Sequence, residues 1–201
     1  MPIISIHEEV AIRLAKNNND LDTKDFYLGV CAPDTVNLNG FAEKEKRWTS
    51  HQRKKDLNDW RKSLKEFYKK EKTNYPKNFL LGYITHILTD IIYDDYFYDN
   101  VKKEIINDNN SNKDPHILMG KDMEYYSSNS KYKNKIKEVL SNQDKFYDIL
   151  NITSKELELF IYKNQNTNYE NKINHYINDN LINNLTKKVE SELQEYIENS
   201  I

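Results

Sequence analysis

A histidine and an aspartate, His86 and Asp90, stand four residues apart inside Gly82-Tyr83-Ile84-Thr85-His86-Ile87-Leu88-Thr89-Asp90. On a helix such positions share a face with Cβ atoms roughly 6 Å apart, so one cation can take both side chains. The surrounding Phe79, Leu80, Tyr83, Ile84, Ile87, Leu88, Ile91 and Ile92 are apolar on nearly every side, which predicts a central, buried helix. A carboxylate is costly there without a partner, and a metal ion is one of the few partners that makes it favourable. Three of the five histidines, His7, His51 and His86, lie in or beside apolar helical pattern, and Asp34 and Asp90 share that kind of setting. Each histidine taken singly reads more readily as a hydrogen-bonded core residue. Taken together, imidazoles and carboxylates from several helices are the ligand set preferred by zinc, and manganese, iron or cobalt would accept the same set.

The elements that must position these groups are helices. A chain of 201 residues is long enough for one substantial core, and only 4 Gly and 4 Pro argue against the many turns of an all-β domain. The expectation is an all-α, multi-helical single domain over residues 1–201 around the helix that carries His86 and Asp90. Ser5 caps a first helix with Ile6, Val10 and Leu14 on one side, ending near Asn17, so that His7 can face the core. Asp22 or Thr23 opens a second helix through Phe26, Tyr27 and Val30, which stops before Pro33 and leaves Asp34 at a helix-to-loop junction. A loop of about 18 residues, long enough to suggest a role of its own, leads to Trp48-Thr49-Ser50-His51. Leu57, Trp60, Leu64, Phe67 and Tyr68 then mark an amphipathic helix that Asn74-Tyr75-Pro76 ends. Beyond the Asn-rich stretch 107–112, Asp114-Pro115 starts a helix with His116, Met119 and Met123 on one stripe. Shorter helices are predicted through Ile136 and Leu140, over 146–150 and over 154–162. A long last one carries Ile173, Tyr176, Ile177, Leu181, Leu185, Val189, Leu193 and Tyr196.

Charge and cysteine usage exclude some classes. A formal net charge of -2 gives no global attraction to nucleic acid or an anionic membrane. Between residues 44 and 72, however, 12 Lys and Arg face 5 Asp and Glu. That surplus is either a solvated helix face or a cationic rim for a phosphorylated substrate. Its aromatic residues follow the helical core period rather than forming a stacking platform, which disfavours nucleic acid as a partner. The single Cys31 cannot form an intramolecular disulfide or a multi-cysteine zinc site. No window reaches the roughly 18 apolar residues of a membrane span, and the first residues lack a basic and apolar secretion signal. A cytoplasmic location is the expectation.

The pieces Met1-Pro2 through His7, Tyr27-Leu28-Gly29-Val30-Cys31-Ala32-Pro33-Asp34, Ser50-His51, and Phe79-Leu80-Leu81-Gly82 through Asp90 occur in that order. Over roughly the first hundred residues the chain thereby resembles the zinc-dependent phospholipase C superfamily, an all-α group that also contains secreted single-strand nucleases. The His-x-x-x-Asp piece is the most specific part. The resemblance implies that Asp34, His51, His86 and Asp90 bind one zinc ion. It further implies that His7 belongs to a second ion, with Asp90 bridging the two, and that Asp34 and Asp90 take part in catalysis. A metal pair roughly 3.5 to 4 Å apart would clamp a phosphoryl oxygen and supply hydroxide for in-line attack. One departure stands out. The family places a further histidine for a third metal ten residues after the first histidine of the helix motif, where this chain has Tyr96. Asp94, Asp95, His116 and Asp122 are the nearby substitutes, and none matches by spacing.

The function implied is metal-dependent phosphoester hydrolysis on a phosphorylated small molecule or a phospholipid head group. The alternative is a non-catalytic helical binding or structural protein that retains a metal for stability. Among the remaining candidates, Tyr83 and Tyr96 are close enough to the motif for substrate contact, His116 can be a ligand or a general acid, and His175 reads as structural.

Overall fold

The computed structural model describes residues 2–108, 114–132, 134–164 and 176–198. Among them are ten α-helices and two 3₁₀ turns, with no strand. The protein is all-α. The helices are α1 (Ile4–Asn17), α2 (Lys24–Cys31), α3 (Lys44–Ser50), α4 (Leu57–Glu71), α5 (Lys77–Tyr96), α6 (Tyr98–Asn107), α7 (Pro115–Asn129), α8 (Lys135–Leu140), α9 (Ser154–Asn164) and α10 (Asp179–Glu198). No helix among the described residues is long and apolar enough to cross a membrane.

α5 is the axis of the molecule, as its apolar circumference requires. Every residue from 79 to 93 is buried, and α1, α2, α4, α6 and α10 all lie against it. Its two buried threonines satisfy their hydroxyls within the helix, Thr85 on the Leu81 carbonyl and Thr89 on the Thr85 carbonyl, both at 2.8 Å. His86 and Asp90, like the Tyr83 and Tyr93 hydroxyls, must therefore look outside the helix for partners.

Local chemistry sets the flanking elements. The Thr23 hydroxyl accepts the Phe26 amide and starts α2, as predicted, and Asp56 caps α4 by accepting the Asn58 and Asp59 amides. α4 buries Trp60, Leu64, Phe67 and Tyr68, and the Tyr68 hydroxyl reaches the Tyr196 carbonyl of α10 at 2.9 Å. Full burial of such side chains stabilises the fold by about 1.5 to 3 kcal/mol each. The other face of α4, with Lys62, Lys65, Lys69 and Lys70, is exposed.

Several local expectations are corrected. Ser5 does not cap α1: the cap position is Ile3, and the Ser5 hydroxyl instead accepts that of Ser127 at 2.7 Å. The long loop after α2 is partly ordered by a 3₁₀ turn (Pro33–Asn37) and by α3, both too short and too polar to show an apolar period. No helix forms over 146–150, where Ile149 and Ile152 make an isolated antiparallel pairing around Leu150 at positive φ. α6 was not anticipated, and Tyr176 and Ile177 precede α10 rather than belonging to it. Ile173, His175 and most of the 107–112 stretch lie outside the described residues.

Candidate metal centre

The site begins where α2 crosses α5 without intervening side chains. Gly29 and Gly82 face each other there, and a Cβ on Gly29 would lie 2.0 Å from the Phe79 carbonyl oxygen. The close approach brings the Val30 carbonyl at the end of α2 to 2.7 Å from His86 Nδ1. With Nδ1–H donating to that oxygen, the lone pair of Nε2 points away from the backbone, as a ligand nitrogen must.

His51 is oriented in the same way. It ends α3, and its Nδ1 lies 2.9 Å from the Arg47 carbonyl. Trp60 of α4 donates its indole N–H to the His51 carbonyl at 2.8 Å, and the Tyr83 hydroxyl donates to the Ser50 carbonyl. The peptides on the two sides of His51 are therefore each tied to another helix. The two imidazoles present Nε2 atoms 3.3 Å apart.

Carboxylates complete the group. Asp34, in the 3₁₀ turn that Pro33 starts, places Oδ1 3.5 Å from His51 Nε2. Asp90 places Oδ2 3.8 Å from His51 Nε2 and 3.9 Å from His86 Nε2. Its other oxygen, Oδ1, lies 3.2 Å from His7 Nε2 on α1. Ligand atoms about 2.0 to 2.1 Å from a tetrahedral zinc stand roughly 3.3 Å from one another, close to the spacing found here. Two potential metal groups result, Asp34 with His51 and His86, and His7 with His86 and Asp90.

Burial and electrostatics support a cation at this point. His7, His51, His86 and Asp90 are each at most 1 % exposed. Burial holds His7 and His86 well below the usual histidine range, so both are neutral imidazoles fit for coordination. Burial pushes the Asp90 carboxyl up to about 7. For His51 and Asp34 burial is the largest single effect and opposes charge, but their mutual hydrogen bond, the attraction of oppositely charged neighbours and the further hydrogen bonds from the Arg47 carbonyl and Asn37 together outweigh it, raising His51 and lowering Asp34. Asp90 Oδ2 and His7 Nδ1 are buried with no hydrogen-bond partner. A carboxylate oxygen left in this way, with imidazole lone pairs facing it, is what a divalent ion satisfies.

The remaining predicted residues fall elsewhere. Asp94, one turn beyond Asp90, accepts Arg53 Nη2 at 2.9 Å, and Asp95 accepts Arg61 at the same distance. Asp122 is buried on α7 and accepts the Ile177 amide at 2.7 Å, joining α7 to the approach into α10. His116 is exposed, with Nε2 2.9 Å from the Tyr98 hydroxyl, at a cleft of about 1220 Å³ that Asp34 also lines. The buried Tyr83 hydroxyl is engaged by Ser50, and Tyr96 lies beneath the Lys188 ammonium, 3.7 Å from its ring centroid. Sequence reasoning read Trp60 only as a core residue of its helix, and it did not single out Arg53 or the Val30 carbonyl. Carbonyls carry no side-chain signal, and Arg53 is lost within a generally basic stretch.

Comparison with known proteins adds one finding. The sequence model of a family described as zinc dependent phospholipase C matches residues 4–200, well beyond the first hundred residues that carry the motifs. No curated protein and no solved structure matches the chain.

Proposed function

We propose, from the premise that this chain belongs to the zinc-dependent phospholipase C family, that it is a hydrolase of phosphate esters with two zinc ions. Asp90 carries this reading, because its Oδ2 faces His51 and His86 while its Oδ1 faces His7. One carboxylate so placed can serve two ions at once. Asp34, His51, His86 and Asp90 would hold the first ion, and His7 with Asp90 the second. Bound there, such ions polarise a phosphoryl oxygen and acidify water for attack on phosphorus.

The chain's own groups have separate tasks. The Val30 and Arg47 carbonyls keep the His86 and His51 protons on Nδ1, which leaves both Nε2 atoms free. Asp34 is the ligand that reaches the cleft, with its side chain 14 % exposed, and there it can accept a proton from an attacking water. Pro2, Ile3, Phe41, Trp48, Met119 and Met123 line the same cleft and exclude water from the organic part of a substrate. A phosphorylated small molecule or a lipid head group suits such a cleft.

The near-complete burial of four ligands also suits a metal held only for stability. Zinc content and turnover separate the two readings. Zinc-loaded wild type should hydrolyse a chromogenic phosphodiester or phosphomonoester, and His86→Ala should lose both zinc and turnover. A zinc-replete protein inert to both ester types, but strongly destabilised by chelation, would instead establish the structural role.

A further inference from the structure

We propose that Arg53 binds the substrate's phosphoryl group beside the metal centre, with Nη1 donating to a non-bridging oxygen; this rests on the reading of the site as a phosphoesterase. Arg53 is two residues beyond His51, and Gln52 between them has φ of 50°. That left-handed turn is unfavourable for a residue with a side chain. It folds the chain back, so that the Arg53 amide bonds the Trp48 carbonyl at 2.9 Å.

The guanidinium is held on two sides. It lies over the Trp60 ring, 4.4 Å from the centroid, and Nη2 donates to Asp94 at 2.9 Å. Both contacts lead back to metal-ligating residues. Trp60 holds the His51 carbonyl, and Asp94 follows Asp90 by one turn on the same helix. With these contacts made, Nη1 is out of solvent and has no hydrogen-bond acceptor. A buried charged donor in that condition is uncommon, and a small movement of the side chain, which is 24 % exposed as a whole, would present it to an acceptor bound in the cleft.

The neighbouring carboxylates are not that acceptor. Asp34 is engaged by His51 and by the Asn37 amide at 3.1 Å, Asp90 meets His7 through Oδ1 while its Oδ2 is itself unpaired and accepts nothing from Arg53, and Asp94 takes Nη2. Arg53 and Asp34 line the same cleft, so one ligand bound in it can reach both. Arg47 lines it too. Its guanidinium is stacked 3.9 Å from the Phe41 ring centroid, and it makes no ion pair among the described residues. A tetrahedral oxyanion has enough lone pairs to satisfy zinc and an arginine together, and a guanidinium fixed by stacking loses little freedom on binding it.

Three forms of the full chain, wild type, Arg53→Gln and Arg53→Lys, would be loaded with zinc, assayed for metal by mass spectrometry and titrated with inorganic phosphate by calorimetry. Zinc content should be equal in all three. Phosphate affinity should fall by about tenfold to a hundredfold in Arg53→Gln, with Arg53→Lys between. In wild type, phosphate should also shift the ¹⁵N resonances of the Arg53 guanidinium, a readout that needs no variant to fold. Unchanged affinity in Arg53→Gln, absent binding to zinc-loaded wild type, or Arg53 resonances indifferent to phosphate would each overturn the assignment. Loss of zinc in Arg53→Gln would overturn it in favour of a role in supporting the ligands. Failure of wild type to take up zinc would count against the phosphoesterase reading instead, and the resonances would still report whether Arg53 meets phosphate.

Discussion

Gly29 and Gly82 pack backbone to backbone where α2 crosses α5, and a Cβ on Gly82 would approach the Phe26 carbonyl oxygen to 2.0 Å. Neither helix can yield there without carrying Val30 away from His86. Gly82→Ala, innocuous on an isolated helix, should therefore lower stability by about 3 kcal/mol or more. It should also reduce zinc content, since the His86 ring would lose the carbonyl that fixes it. Unfolding in urea and metal analysis of the same samples check both effects. Gly120→Ala is the control, because a Cβ there meets nothing within 4 Å.

How far the fold was legible in the sequence depended on burial. α5 announced itself because it is apolar all round, and α4 because Trp60, Leu64, Phe67 and Tyr68 recur at helical spacing. α3 and the 3₁₀ turn at Pro33 did not. They bury little and are held by backbone bonds, such as the Arg53 amide to the Trp48 carbonyl, and by side chains that reach the backbone from other elements. The residues of the candidate metal centre were visible as types in similar settings. What set their geometry, the glycine contact and the Val30 and Arg47 carbonyls, is written in the backbone and appears only when the helices are docked.

His116 and His86 give opposite expectations for metal retention. His86 Nε2 faces Asp90 and His51 inside the protein, while His116 lies at the surface against Tyr98. His86→Ala should weaken zinc binding at least about a hundredfold, the upper range seen when groups around a metal site are removed. His116→Ala should leave zinc content and melting temperature unchanged. Zinc loss in His116→Ala would place that residue among the ligands.

Tyr83 makes a related distinction between structure and substrate contact. Its hydroxyl is buried and donates to the carbonyl that precedes His51. Tyr83→Phe leaves that acceptor unpaired and should destabilise the protein by about 1 to 3 kcal/mol. KM for a small phosphoester should not change in the folded enzyme. A raised KM with unaltered stability would return Tyr83 to the substrate-contacting residues.

The dependence of zinc stabilisation on pH follows from Asp90. In the metal-free protein burial raises its carboxyl from the ordinary value near 4 to about 7. Because the folded form holds this proton more tightly than the unfolded chain, the group contributes stability below about pH 4, lost as pH rises through about 7. His7 and His86 act on the other side. Their values lie well below 6.5 through burial, so their contribution is lost as pH falls below that of the unfolded chain. Zinc held by these residues would require the ionised Asp90 and neutral imidazoles, and would bind more tightly as protons leave. The gap in melting temperature between zinc-loaded and metal-free protein should therefore widen from pH 5 to pH 8. Asp90→Asn removes the buried ionisable group. Without metal at pH 8 it should melt above wild type, while gaining little from added zinc. Thermal melts of both proteins across that range, with zinc and with chelator, decide the matter: a gap independent of pH, or an Asp90→Asn variant stabilised by zinc as strongly as wild type, would remove Asp90 from the ligand set.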